Sequence, residues 1–442
     1  MSKKFKLNLD NSTVNSDLHG YERLLKKIKN IPTPRFAKYT PDLEKLKILK
    51  EKYQDKKNII VEGNGGAISN FRGIWSALGE ISDKNVFLLD TEDPDYINEL
   101  RRKCPKEETL VILTSKSGTR IQVLANYFAF ADYPLLIITE DNEGTLNQIR
   151  KSKSLDVSFY PSVEMTDRFT GLTESALTTA EIVGIDTTEM VKGGKDMYDL
   201  CDINRKFHSG DSPVEPKMQD SQMRFHSPAC RTGWPNGTMK PSLADNPAFQ
   251  LALALDKLES LGYTELFLSI YSKKLSGFFE LIVQLFHESV CKNGVGQTIY
   301  GGESPENQHH TLQRFISGRK NSIGLFLTIE NFSNKETKIE VEEDLKSTTC
   351  RNIKLENLNN ISLEEIIKAE FQGTWQDVVD NNIPAINFEI TEISPYTIGQ
   401  FMAFFQYVTF YSALLRGVNP CDQPGVEKSK ENIFQIIEEI GK

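Results

Sequence analysis

The chain has no apolar run approaching the length of a membrane span, no C-x-x-C spacing and no excess of positive charge. Its opening residues, Met1-Ser2-Lys3-Lys4-Phe5-Lys6-Leu7, also lack the apolar core of a secretory signal. Together these absences predict a cytoplasmic protein. The six cysteines, Cys104, Cys201, Cys230, Cys291, Cys350 and Cys421, are scattered, which argues against a disulfide framework or a four-thiolate zinc site and leaves ordinary reduced thiols. With 52 Lys and Arg against 61 Asp and Glu, the formal net charge of −9 disfavours nucleic acid or an anionic membrane as partner. An anionic ligand must then be met by a local basic pocket, which suits a small substrate better than a polymer.

What is present describes a globular protein. At 442 residues, 39% hydrophobic and 26% charged, the chain can bury ample apolar surface in two or three domains. A helix is predicted after Thr40-Pro41, with Leu43, Leu46, Ile48 and Leu49 on its apolar face. From Asn58 the pattern changes: Asn58–Val61, Val86–Leu89, Thr109–Leu113 and Leu135–Ile138 are short aliphatic runs separated by longer segments. That alternation predicts βαβ units around a parallel sheet.

The third run ends in Thr114-Ser115-Lys116-Ser117-Gly118-Thr119, after which Ile121, Leu124 and Phe128 recur at helical spacing. The loop therefore lies at a helix N-terminus, where unpaired N–H groups and the positive end of the dipole point outward. Two readings are open: a receptor for a phosphate-sized anion, or an ordinary turn in which one hydroxyl caps the helix. The first run leads into Glu62-Gly63-Asn64-Gly65-Gly66-Ala67, whose glycines permit close approach to a ligand but lack the full dinucleotide fingerprint.

Around Asp202–Ala244 the composition turns to Pro, Ser, Gly, Asp and His without periodicity, as in a long insertion. Cys201, His208, His226 and Cys230 match no usual zinc spacing, and a solvated loop is the preferred reading. The second half restarts the alternation. Asn246-Pro247 opens a helix through Leu258, Leu266–Ile270, Ile323–Ile329 and Ala385–Ile390 are strands, Phe278–Phe286 is a helix, and Tyr396–Leu415 is a strongly apolar one. A turn at Gly417–Gly425 leads to a terminal helix. Glu288, at the end of an amphipathic helix, is a candidate general base or a solvated surface carboxylate. His309-His310 offers a proton shuttle or an exposed loop pair.

Several of these stretches, in this order, resemble motifs of the glucose-6-phosphate isomerase family in its shorter form. Ser115-Lys116-Ser117-Gly118-Thr119 looks like its phosphate loop, Gln284–Ser289 like its segment ending in Glu-Ser, and Gln308-His309 with Gln313 like its histidine motif. The strongest match is Asp422-Gln423-Pro424-Gly425-Val426-Glu427-Lys428-Ser429-Lys430, which resembles the family's C-terminal signature. Lesser agreements at Arg168-Phe169-Thr170, Asp245-Asn246-Pro247-Ala248 and Ala369–Thr374 extend the resemblance over roughly residues 56–437.

The resemblance implies an α/β protein with two sugar-isomerase (SIS) α/β/α sandwich domains, mainly parallel sheets and helical segments at both ends. The expected boundaries are 1–55 for the N-terminal helical segment, 56–190 and 246–420 for the two domains, 191–245 for the linker or insertion, and 421–442 for the C-terminal turn and helix. It implies interconversion of glucose 6-phosphate and fructose 6-phosphate through an enediolate. Glu288 matches the base and Arg168 the cation that stabilises the intermediate. His309 and Lys430 match the ring-opening pair, with Gln423 nearby. Ser115, Lys116, Ser117 and Thr119 match the residues that hold the 6-phosphate, and Gly65 and Gly66 of the glycine-rich turn, with Arg120 after the loop, are expected at the same end of the pocket. The family's histidine comes from the partner subunit, so a homodimer with shared active sites is implied. Neither metal nor organic cofactor is implied.

The chain departs from the family pattern mainly at that phosphate end. Ala67 replaces a phosphate-contacting serine, and Arg120 and Gln122 replace a threonine and a glutamate. Thr166-Asp167 replaces Gly-Gly, and Gln406-Tyr407 replaces Glu-His. On these residues the expectation is retained isomerase chemistry in an adjusted pocket, with Arg120 compensating for lost hydroxyls. Two alternatives remain open, an isomerase of another phosphosugar, including mannose 6-phosphate, and a non-catalytic sugar-phosphate sensor.

Overall fold

The computed structural model describes residues 31–161, 165–203, 223–224, 246–333 and 337–442. Its first half is a five-stranded sheet of β1 (Asn58–Gly63), β2 (Asn85–Leu89), β3 (Thr109–Thr114), β4 (Leu135–Thr139) and β5 (Asp156–Phe159), in the order β2-β1-β3-β4-β5. Every pairing is parallel. The intervening helices are α2 (Gly66–Leu78), α3 (Pro94–Lys103), α4 (Ile121–Ala129) and α5 (Thr145–Lys153), and α1 (Leu43–Lys52) precedes the sheet.

Both faces of this sheet are covered, which explains its near-continuous aliphatic strands. Ile59, Val61, Leu110, Ile112, Leu136 and Ile138 face one core, and Ile60, Val111, Leu113, Leu135 and Ile137 face a second core built with α3, α4 and α5. The predicted helix after Pro41 is α1, capped by Asp42 and anchored by fully buried Leu46, although Ile48 faces solvent.

The second half holds β7 (Glu265–Ile270), β8 (Thr298–Glu303), β9 (Ser322–Ile329) and β10 (Ala385–Ile390), with the two-residue β6 (Met223–Arg224), in the order β6-β10-β9-β7-β8. Only β6 runs antiparallel to its neighbour. Between these strands lie α8 (Pro247–Ser260), which precedes β7, α9 (Phe279–Ser289), α10 (Thr311–Ser317) and α11 (Leu363–Asp380). Asn246 accepts a hydrogen bond from the Phe249 N–H with Pro247 at the first helical position, as the sequence predicts for α8. The aliphatic-run reading passed over β5 and β8, because β5 has four residues and β8 contains Gly301-Gly302.

One large core lies between the two sheets. The apolar helix α12 (Pro395–Leu415) runs through it against α7 (Thr187–Cys201), α8 and α9, while α6 (Glu174–Ile182) packs on α1 and α2. The segment set apart as a linker at 191 therefore begins inside α7, whose Met190, Met197, Tyr198 and Cys201 are buried. The rest of that segment falls outside the described residues except 202–203 and 223–224, and His208, His226 and Cys230 are among the residues so excluded. Among the described residues no helix is long and apolar enough to cross a membrane.

The α7–α12 contact is made by glycine. A Cβ on Gly399 would stand 1.9 Å from the Met190 carbonyl oxygen, and one on Gly193 would stand 1.9 Å from that of Tyr396. By contrast, Gly373 on α11 has nothing within 4 Å of the place its Cβ would occupy. Gly399→Ala is therefore expected to lower the unfolding free energy by about 1–3 kcal/mol, as overpacking does. Gly373→Ala should raise it by about 0.5–1 kcal/mol through helix propensity. Urea denaturation of the two variants measures both, and equal effects would contradict the close-contact account.

Candidate active site

In the first sheet the strand order reverses between β1 and β3, and ligands of open α/β sheets bind in the crevice beyond the carboxyl ends of the strands at such a point. The glycine-rich turn leaves β1 and the Ser115–Arg120 loop leaves β3, so the two flank that crevice. Gly65 holds φ +59°, and a Cβ on Gly66 would lie 2.4 Å from the Asp167 carbonyl carbon. The missing side chains thus let the start of α2 touch the backbone just before Arg168.

Arg168 sits in a single 3-10 turn, Asp167–Phe169, with its side chain 1% exposed. All five guanidinium N–H groups find acceptors. Nε donates to Ser289 Oγ at 2.7 Å. Nη1 donates to Glu288 Oε2 at 2.8 Å and Gln423 Oε1 at 3.3 Å. Nη2 donates to the carbonyls of Pro420 at 2.8 Å and Asp422 at 3.0 Å. Burial draws the Arg168 pKa below its ordinary value, opposed by the adjacent Glu288 carboxylate. One cation thereby joins three segments: its own loop, the end of α9 and the turn before the last helix.

Glu288 is 29% exposed and has a second tether, since its Oε1 accepts from Gln284 Nε2 at 3.1 Å. Gln284 Oε1 in turn accepts from Ser69 Oγ at 2.8 Å, which links the carboxylate to α2. Gln284 and Ser69 received no role from the sequence, although the i,i+4 spacing of Gln284 and Glu288 on one helix was a readable signal. Lys292 is a second omission. Its ammonium donates to the carbonyls of Asn419 and Asp422 and to the Asp422 carboxylate, clamping the same turn that Arg168 holds.

Residues of the anion loop are placed differently from one another. Ser115 is buried, and its Oγ accepts from the Gly118 N–H at 3.2 Å, so it closes the loop. Ser117 and Thr119 are exposed, with hydroxyls 3.0 Å apart. The Lys116 ammonium donates to the Met165 carbonyl and lies 3.5 Å from Glu140. Helix α4 begins only at Ile121, and its N-cap Arg120 makes no capping bond. Instead Arg120 Nη1 donates to the Asn64 carbonyl at 2.5 Å, and Nη2 pairs with the Asp167 carboxylate.

The structure therefore brings Arg168, Glu288 and Gln423 into direct contact and sets the loop and glycine-rich turn across the first-sheet crevice. It does not bring His309 or Lys430 into hydrogen-bonding contact with that trio within the chain. His309 ends an exposed turn, Glu306–His309, anchored beneath by Asn307 on Ser269, Gly302 and Ser304 and by Gln308 on Tyr271 and Thr374. Lys430 lies on the exposed terminal helix α13 (Glu427–Ile440), where its ammonium meets Glu427 at 2.7 Å.

No family model matches the chain. Among curated proteins it is 25% identical over 409 residues to a probable glucose-6-phosphate isomerase of Methanococcus maripaludis, covering 90% of this chain and 82% of that one. It is 22% identical to the glucose-6-phosphate isomerase of Methanocaldococcus jannaschii over 95% of this chain and 94% of that one. It is 25% identical to that of Acholeplasma laidlawii over 90% and 86%. A hypothetical protein of Thermus thermophilus superposes with a TM-score of 0.77 at 22% identity, over 94% of this chain and 93% of that one. A glucose-6-phosphate isomerase of Chlamydia trachomatis superposes at 0.68 and 18% identity, over 97% and 77%. These structural likenesses establish the fold.

One further carboxylate stands at the head of the crevice. Glu62, the residue before the glycine-rich turn, is fully buried, and its Oε1 accepts from Asn126 Nδ2 at 3.4 Å. Glu62 Oε2 and Asn126 Oδ1 have no hydrogen-bond partner among the described residues. Burial pushes the Glu62 pKa up to about 8, against smaller opposing effects of Asn126 and Arg120. Because the folded value lies above the ordinary value of 4.5, the folded state binds the extra proton. Stability should then fall as pH rises through the window from 4.5 to about 8. Glu62→Gln keeps the acceptor for Asn126 and should be more stable than the unmodified chain at pH 9 by about 1–4 kcal/mol. The gap should close toward pH 4.5 in denaturant titrations, and a pH-independent gap would rule out this origin.

Proposed function

We infer that the chain belongs with the glucose-6-phosphate isomerases and interconverts glucose 6-phosphate and fructose 6-phosphate. Its likeness to proteins so named spans most of the chain on both sides. The observation that carries the mechanistic reading is the contact of a buried, fully bonded guanidinium with a partly exposed carboxylate beside the crevice. Moving a proton between adjacent carbons needs one base that can reach both and a fixed positive charge for the oxyanion that develops. Glu288 takes the C2 proton and returns it to C1. Arg168, held in place before substrate arrives, stabilises the enediolate without reorganisation at the moment of reaction. Gln423 shares the Nη1 group of Arg168 with Glu288 and so faces the same reacting carbons.

The 6-phosphate occupies the crevice between the glycine-rich turn and the Ser115–Arg120 loop. Ser117, Thr119, Lys116 and Arg120 bind it, Ser115 shapes the loop, and Gly65 and Gly66 give it room. Binding energy at this remote group holds C1 and C2 against the base. Sugar phosphate is thus the partner, and the enzyme works in the cytoplasm.

Among the described residues no histidine hydrogen-bonds to Arg168, Glu288 or Gln423, and the ring-opening step still needs one to shuttle a proton. His309 does so from a second copy, and Lys430 joins it when α13 is covered. The exposed imidazole supports this reading, as do the exposed Ile433, Phe434, Ile436, Ile437 and Ile440 on α13. Each such side chain contributes about 1.5–3 kcal/mol when fully buried. Two-fold pairing of identical chains would bury them and share the sites.

With fructose 6-phosphate in deuterated water, the unmodified chain should place label at C2 of the aldose. Glu288→Gln should lower that exchange by about 10²–10⁴-fold while sparing phosphate-ligand binding. Binding without exchange by the unmodified chain would leave only a sensor. Glu288→Gln and His309→Ala should each be inactive alone, but subunit exchange between them should restore about a quarter of the wild-type rate, the statistical share of intact sites. No recovery in mixed dimers would place the shuttle within one chain.

A further inference from the structure

Two of the departures at the phosphate end meet in space. Arg120 closes the anion loop and Asp167 precedes Arg168, and their side chains form an ion pair with Arg120 31% and Asp167 12% exposed. Asp167 is itself held firmly: its carbonyl accepts from Asn70 Nδ2 at 3.1 Å and Thr170 Oγ1 at 2.7 Å, and its backbone abuts Gly66. Arg120 also donates to the Asn64 carbonyl in the glycine-rich turn. One guanidinium therefore spans the two walls of the crevice and the residue next to the buried Arg168. Its Nη1 and Nη2 each give one of these bonds, which leaves three of its five N–H groups unengaged among the described residues.

We propose that Arg120 and Asp167 form a positioning pair that couples phosphate in the crevice to the placement of Arg168, a specificity device resting on the isomerase reading above. An anion between the walls draws on the unengaged N–H groups of Arg120 while the Asp167 carboxylate holds the same guanidinium from the other side. Tension on that link is transmitted to Asp167 and, through one peptide bond, to Arg168. The pair also sets affinity, since the carboxylate offsets part of the positive charge offered to phosphate. Neither residue touches the reacting carbons.

The two ends of the pair differ in sign. Asp167→Asn releases Arg120 to the anion, so inorganic phosphate should inhibit about 3–10-fold more tightly while kcat falls by about tenfold, effects in the range of coupled charge pairs. Arg120→Thr leaves a carboxylate facing the anion, so inorganic phosphate should inhibit more weakly and kcat should again fall. Arg120→Thr combined with Asp167→Asn removes both charges, and its loss in kcat should be well below the product of the single losses. Arg120→Lys keeps the charge without the two-pronged reach and should give an intermediate kcat, which serves if Arg120→Thr fails to fold.

Turnover of fructose 6-phosphate and its inhibition by inorganic phosphate are measured for the full chain and each variant. Single losses that multiply in the double variant, or phosphate inhibition moving the same way at both ends, would overturn the coupling while leaving the isomerase reading intact. Absence of turnover in the unmodified chain would remove that reading and this inference together.

Discussion

The five hydrogen bonds of Arg168 are the constraint on which the rest of the site depends. A buried guanidinium that loses even one acceptor leaves a donor unsatisfied where water cannot reach it, at a cost of about 1–3 kcal/mol. The loop after β5, the end of α9 and the turn before α13 are therefore bound to one another through a single side chain. Lys292 supports the arrangement by donating to the same Asp422 carbonyl as Arg168, and Gln284 carries it to α2 through Ser69. The candidate base is held by this network while retaining partial exposure.

Rigid helices beneath the site make the network possible. The α7–α12 contact and the approach of α2 to Asp167 are both closer than any Cβ permits, so glycine at 193, 399 and 66 sets the distances between layers. These distances decide where α9 and the Arg168 turn lie relative to the first sheet. The central core is continuous from one sheet to the other, and the two halves meet through packed helices. A site assembled from both halves is consistent with that packing, because a change at the helix contacts would move the acceptors of Arg168.

Much of this was legible residue by residue. Aliphatic runs gave away most of the strands because both faces of a parallel sheet are buried, and Asn246-Pro247 and the apolar stretch to Leu415 marked their helices. The edge strands were less readable: β5 is short and β8 carries two adjacent glycines. Within the site, Arg168, Glu288 and Gln423 stood out only as parts of separate motifs, with Arg168 120 positions from Glu288 and 255 from Gln423. Gln284 and Lys292 lay in plain view beside Glu288 without a role, since their partners, Ser69 and the Asn419–Asp422 turn, are remote in sequence.

By itself, then, the sequence determined the α/β alternation, the order of the elements and the residue types able to bind an anion and move a proton. These are local properties, set by periodicity, backbone preference and side-chain chemistry. Which of those residues meet was decided by tertiary packing alone. Arg120 read as a phosphate-binding cation that compensates for lost hydroxyls, and only the fold shows its guanidinium engaged by Asp167 and the Asn64 carbonyl. Lys430 read as a member of the site and His309 as one supplied by a partner subunit, and within one chain both are exposed and neither hydrogen-bonds to Glu288. The physical reason is the same in each case: hydrogen bonds and ion pairs act over a few ångströms, and only the packed chain brings distant positions that close.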